Sequence, residues 1–494
     1  MSKTQTLLLL LGALWLVPAL QAQDASPDAR GVLDAYVDEA LASNLALQQQ
    51  ALDLDAARHA LDAARRSFFP TLSVEARFTR AGGGRTIDLP LGDLLNPVYG
   101  SLNDLLAAQG EAPAFSTIDN DEILFLREQE QETRLRVVQP LYQPRLNAAV
   151  RLNRHLVASQ EAQVAAYRQQ LVRDVKVAYF QYLQAERATA IFAAADDLVR
   201  ENLRTTERLR QGDRVLADAV LRAQAETFAV EQQQAEAGAD RDRARSYVNF
   251  LLNRSLDTPL ERIDAETLPL PDAEPATWVQ TAALSNPEGI STASMADDPV
   301  FDAALAGMQD TAVAQRRELD QLDAAIDAQR ANVALTRANY LPNVALAVDG
   351  GIQGETYGFT GDAPFYLASV VLSWKLFDAG ADRARIREAR AAAARTEVQR
   401  AETAQQIRLQ VQDAYDAVRV ARASLATAEQ RLAAAAEGFR LTQRRVAEGQ
   451  ANQVAFVDAR TTLTSAELNL NVTRYGLLAR LADLEFAVGS AALE

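Results

Sequence analysis

The sequence predicts a mixed α and β protein made twice from one plan: very long coiled-coil helices and two short amphipathic strands in each half. Three observations carry this. Helical runs end at two aromatic-x-Pro corners, Phe68-Phe69-Pro70 and Tyr340-Leu341-Pro342, and alternation of period two follows each. Pro70 and Pro342 stand 272 positions apart, as do Leu47 and Leu319 upstream. Val411, Val418, Leu425, Leu432, Phe439 and Val446 recur every seven residues, and Ala414, Ala421, Ala428 and Ala435 follow three positions after the first four of them. That is a coiled-coil seam whose alanines permit close helix approach.

The elements follow in order. Residues 1–22 carry one lysine, an apolar run from Leu7 to Leu20 and a small residue at Ala22, the pattern of a secretory signal peptide. The other reading is a membrane anchor, but the run is shorter than the ~20 residues a spanning helix needs. The first half, 23–254, opens with a helix over Asp28–Ser67 and a strand over about 71–80. Leu72, Val74, Ala76 and Phe78 share one strand face; Ser73, Glu75, Arg77 and Thr79 share the other. Gly82-Gly83-Gly84 then opens a long loop carrying Pro90, Pro97 and Pro113, with a short helix over Leu102–Ala108. A second strand is expected at about 133–142 and a glycine-free helix from Pro144 to Arg210. A turn at Gln211-Gly212-Asp213 and a return helix over Ala217–Leu252 complete the half.

Residues 255–299 are rich in proline and acid and read as a linker, with a short helix around Trp278–Leu284. The second half, 300–494, repeats the plan. Its strands fall at about 343–351 and 365–377, with Val370, Leu372, Trp374 and Leu376 on one face. A helix follows over Asp382–Glu448, ~100 Å at 1.5 Å per residue. Gly449 breaks it and Gln453–Val488 returns. Leu141-Tyr142 corresponds to Leu376-Phe377 at an offset of 235, so the first half holds an extra segment of about forty residues between its strands.

Composition excludes several classes. A net charge of −16 does not suit a polyphosphate partner, so no nucleic acid is expected. Zero cysteines exclude disulfides, thiolate chemistry and Cys-based metal sites. The two histidines, His59 and His155, both sit in helical runs, and no phosphate loop, metal cluster or catalytic triad stands out. Neither an enzyme nor a cofactor is expected.

Strands of about ten residues match the length that crosses a bilayer. Lipid cannot satisfy open sheet edges, so four such strands must close with strands of other copies. An apolar outer face and a polar inner face then describe a water-filled barrel. A soluble four-stranded sheet packed on helices is the alternative.

The organisation resembles the TolC-like outer-membrane efflux protein family over nearly the whole mature chain. The carriers are Glu39-Ala-Leu-Ala-Ser-Asn44-Leu-Ala-Leu47, the two proline corners, and Gln139-Pro140-Leu141-Tyr142 matched by Trp374-Lys375-Leu376-Phe377-Asp378-Ala379-Gly380. To these is added Gly449 followed by Val457-Asp458-Ala459-Arg460-Thr461-Thr462-Leu463. The resemblance implies a homotrimer, a twelve-stranded β-barrel in the outer membrane of a Gram-negative bacterium and a periplasmic α-helical tunnel. It implies passive passage of substrates in tripartite efflux or type I secretion, with a periplasmic adaptor protein and an inner-membrane transporter docked below. The alternative class is a structural periplasmic coiled coil or an adaptor without a pore.

By the same resemblance, Asp458 and Asp218 belong to the periplasmic entrance, and Gly212 and Gly449 to the tips where adaptors dock. The companion of Asp458 three residues earlier is Ala455, and the partners that latch Asp218 in relatives fall on Val446 and Ala451. Each site has a plainer reading. Asp458 and Asp218 can be acidic residues favoured near helix N-termini, and the glycines suit turns in any case.

Overall fold

The computed structural model describes residues 29–124, 126–263, 299–356 and 363–490. The expected signal peptide, most of the expected linker and the expected helix at Trp278–Leu284 lie outside them. The chain forms two compact units. One holds residues 49–166 and 317–406; the other holds the described parts of 1–48, 167–316 and 407–494. Each unit therefore draws on both duplicated halves.

The first unit contains the sheet. Strands β1 (Thr71–Arg80), β4 (Gln129–Tyr142), β5 (Asn343–Gly354) and β6 (Pro364–Ser373) form one antiparallel sheet in the order β1-β4-β5-β6. The strands of the two halves are joined through β4 and β5. Register decides the faces. Leu72 pairs with Val137, Val137 with Val348 and Val348 with Ala368, so the apolar positions of all four strands share one side. Leu72, Val74, Phe78, Val370 and Leu372 are each more than 60% exposed there.

The other side carries a ladder of charge. Arg134 donates to Glu75 and lies 3.2 Å from Glu132, Arg77 lies 3.2 Å from Glu132, and Arg136 lies 3.6 Å from Asp349. Gly351 lets β5 approach this ladder: a Cβ there would meet the Thr133 carbonyl oxygen at 2.2 Å. Both outer strands, β1 and β6, lack a second partner among the described residues, and open edges of this length demand cover.

The last strand ends four residues earlier than expected. β5 begins at Asn343, opposite Ser373. Before it stand Pro342, with no N–H, and a 3-10 turn at Ala338–Tyr340, so Trp374 has no ladder partner. Its indole instead donates to the Tyr340 carbonyl at 2.9 Å. The chain then turns into α8 (Ala381–Ala447) through Asp378, whose carboxylate accepts from the backbone of Gly380 and Asp382. Asp382 is fully buried. Lys375, 2.5 Å away, holds it below the usual carboxylate range, and the side chains of Asp378, Arg385 and Asn339 add to this against the cost of burial.

Between β1 and β4 the expected open loop is largely structured. β2 (Thr86–Leu89) pairs with β3 (Asp121–Leu124), and α3 spans Leu91–Ala108. Gly92, Pro97 and Gly100 read as breakers, but three asparagines offset them. Asn96, Asn103 and Asn120 bond the backbone between the helix and the strap 114–120.

The helix expected over Asp28–Ser67 is two, α1 (Ala29–Ser43) and α2 (Leu45–Arg66). Asn44 is buried at the break. It donates to the Leu251 carbonyl and accepts from the Leu47 N–H, which caps α2. The second half breaks between α6 (Pro299–Gln315) and α7 (Arg317–Arg337) at Arg316, 272 positions after Asn44. Arg316 donates to the carbonyls of Phe486 and Ala487 and stacks on the Phe486 ring. In both halves a buried donor reads the carbonyl end of a long helix.

The second unit is helical. Its core gathers residues from α4 (Pro144–Gln211), α5 (Ala217–Leu251), α8 and α9 (Gln453–Val488). The seam on α8 is buried at Val411, Val418, Ala421, Leu425, Ala428 and Phe439, and is only half-buried at Leu432, Ala435 and Val446. Residues 255–263 pack here too. Leu260 and Ile263 are buried, the Tyr179 hydroxyl donates to the Glu261 carbonyl, and burial pushes that phenol far above its ordinary range. No helix among the described residues is long and apolar enough to cross a membrane; β-strands are not subject to that criterion.

Candidate functional site

The four singled-out residues lie at two helical turns, α4 to α5 and α8 to α9, both in the helical unit. The turns share one backbone motif. At the second, Gly449 has φ +71°, Gln450 donates to the Arg445 carbonyl and Gly449 to that of Val446. At the first, Arg214 donates to Leu209 and Asp213 to Arg210, and it is Asp213 that takes the left-handed conformation, with φ 52°. This is the double hydrogen bond that closes a helix C-terminus.

Gly212 is thus not required by its turn. Its φ is not positive, and a Cβ there meets nothing nearer than 3.7 Å. The signal lay in the duplication: Val175 and Val411, and Tyr179 and Tyr415, stand 236 apart, and 236 added to 213 reaches Gly449.

Asp218 sits in the first turn of α5, exposed, 3.6 Å from the equally exposed Arg222. A helix N-terminus favours an acid at that place. Asp458 is different. It is the sixth residue of α9, beyond the first turn where the helix field acts, so that field does not account for it. It is exposed and has no ion pair among the described residues. No hydrogen bond or ion pair joins Asp218 to Asp458 among those residues. Val446 and Ala451 are half-buried and offer no polar side chain to either.

Side chains that sequence reasoning passed over hold the turns in place. Asn452 caps α9 by accepting from the Ala455 N–H at 3.0 Å, whereas Leu216, at the same place before α5, offers no cap. Arg460 is buried and pairs with Glu226, tying α9 to α5. Phe439 and Phe456 meet at 5.5 Å between α8 and α9. A buried pair between distant helices has no local signature. Among the described residues no group of acids and histidines is arranged to hold a metal.

A sheet with one apolar and one charged face, in a chain of long helices paired through tight turns, defines the class: an outer-membrane channel protein with a helical periplasmic part. The profile of the outer membrane efflux protein family matches residues 36–254 and 309–490, and the chain belongs to that family. It is 32% identical over 178 residues to Protein CyaE of Bordetella pertussis; the match spans 36% of each protein. Its fold is similar to two solved outer-membrane channels. One is CmeC of Campylobacter jejuni, with TM-score 0.69, 15% identity, 93% of this chain and 86% of that one. The other is the open state of MtrE of Neisseria gonorrhoeae, with TM-score 0.66, 18% identity, 93% and 89%.

Proposed function

We propose that three copies close their sheets, β1 of one against β6 of the next, into a twelve-stranded barrel, and that the helices continue it as a periplasmic tunnel. The result is the exit duct of a tripartite efflux or type I secretion system. It passes substrate passively; an inner-membrane transporter supplies energy and a periplasmic adaptor joins the two, docking at the turns that carry Gly212 and Gly449. The observation that carries this reading is the sheet: an apolar face for lipid, a charged face for water and two edges unpaired among the described residues. The exposed Phe69, Tyr142, Trp374 and Phe377 at its helix end suit the headgroup level. The duct needs no cofactor, catalytic residue or nucleic acid.

Asp458 is assigned to the inner entrance. Three copies form a carboxylate ring that draws cations and repels anions, thinned by alanine at 455. Asp218 is assigned to the same end as a weaker contributor. Conductance of the purified protein in planar bilayers tests both claims. Discrete cation-selective steps, less selective in Asp458→Ala, are expected. Steps unchanged by the substitution would remove Asp458 from the entrance, and a protein that never enters a bilayer would remove the duct.

A further inference from the structure

Helix α3 carries an apolar stripe that no other described residue covers. Leu91, Leu94, Val98, Leu102 and Leu105 are between 37% and 67% exposed. Their spacing places all five within one narrow face of the helix. The other side is occupied: Asn96 and Asn103 bond the strap, Tyr99 stacks on Phe115 at 5.4 Å, and Gly92 lies against the Ile118 carbonyl. A helix built this firmly on one side and left bare and apolar on the other is an interaction surface.

Two further observations select its partner. The insertion grows from the end of β1 remote from the helices, where Ala81 donates to the Glu128 carbonyl beyond the last ladder pair. β1 is an edge strand, so the insertion stands on the seam where the next copy joins. Between Thr86 and Leu126 there are seven acidic residues and no lysine, arginine or histidine. Helices that lie on anionic lipid use basic polar faces, so the charge opposes a seat on the outer leaflet. Asp93 and Asp104 fall off the stripe by helical spacing and do not oppose an apolar contact between copies. The second half has no such insertion, so each copy contributes one stripe.

We infer that the α3 stripes of neighbouring copies pack on one another at the outer end of the duct, forming an apolar collar around its mouth. This rests on the trimer reading above. The chain has no cysteine, so single thiols report cleanly. Val98→Cys, on the stripe, and Ala107→Cys, on the opposite face, are placed separately in the full-length protein in outer membranes and oxidised mildly. Trimer is scored independently by heat-modifiable migration. A cross-linked dimer in Val98→Cys, holding at most two of the three chains because each chain carries one thiol, and no dimer in Ala107→Cys is the expected result; Leu94→Cys repeats the reading should Val98→Cys fail to assemble.

A verified trimer without cross-links overturns the collar and leaves the trimer standing. In that trimer, ready reaction of the Val98→Cys thiol with an aqueous maleimide marks the stripe as bare, and protection from it with reaction toward a membrane-soluble maleimide marks it as lipid-facing. Either result overturns the collar. Monomer alone, in all variants and in the wild type, overturns both readings.

Discussion

At the turn between α4 and α5 the left-handed residue is Asp213; at the turn between α8 and α9 it is Gly449. The hydrogen bonds around the two are the same, and so is their place in the duplication. Their residues have diverged in opposite directions. The first turn puts a charged side chain at a strained φ, tolerable for aspartate but not free, and starts α5 without a cap. The second uses glycine at the strained place and starts α9 with Asn452. Backbone geometry survived the divergence because the carbonyls at a helix end must be satisfied whatever side chains stand there. The side chains set how firmly each turn is held, and the second turn is the firmer.

The largest effect expected lies where the two helical hairpins are tied. Glu226→Ala leaves Arg460 buried without its carboxylate and lowers stability by about 3 kcal/mol, read as an earlier denaturant midpoint. Adding Arg460→Met recovers most of that loss, because an apolar side chain tolerates the site. Recovery by the second change separates loss of the pair from a general packing defect.

Next comes the turn glycine. Gly449→Ala is expected to cost about 1–2 kcal/mol, since every L side chain is strained at φ +71°. Gly212→Ala, one position from the strained residue, is expected to be neutral or stabilising by about 0.5 kcal/mol. Equal costs at both would break the assignment of Asp213 as the counterpart of Gly449.

The caps follow. Asn452→Ala is expected to lose about 1 kcal/mol, and Leu216→Asn to gain about 0.5 kcal/mol by supplying the missing cap. Thermal melts of the two variants, moving in opposite directions, check the difference between the turns. The smallest stability effects fall on the acids. Asp218→Asn changes stability by no more than about 0.5 kcal/mol, because its ion pair is exposed. Asp458→Asn leaves stability unchanged and acts on ion selectivity, measured as reversal potential in a salt gradient.

Much of this was legible from local pattern. Alternation after Pro70 and Pro342 marked β1 and β5 and sorted their faces, because side-chain direction along a strand depends only on residue parity. The heptads marked α8 and its seam, and the offsets of 272 and 236 marked the duplication. Other features needed neighbours distant in sequence. Asn44 and Arg316 break helices that their own flanks would continue, and do so by reading helix ends more than 150 residues away. α3 persists through Pro97 because a strap of backbone bonds to its asparagines.

The sequence by itself determined the long helices, the four strands of the main sheet, the two-fold plan and the apolar and polar faces. These follow from periodicity and spacing, which are local. Only the tertiary structure decided that β4 pairs with β5 to join the halves, that β6 stops at Ser373, that Asp213 rather than Gly212 takes the left-handed place, and that Arg460 is answered by Glu226. Each depends on which hydrogen-bonding groups are left unsatisfied once distant segments meet, and local pattern does not record that.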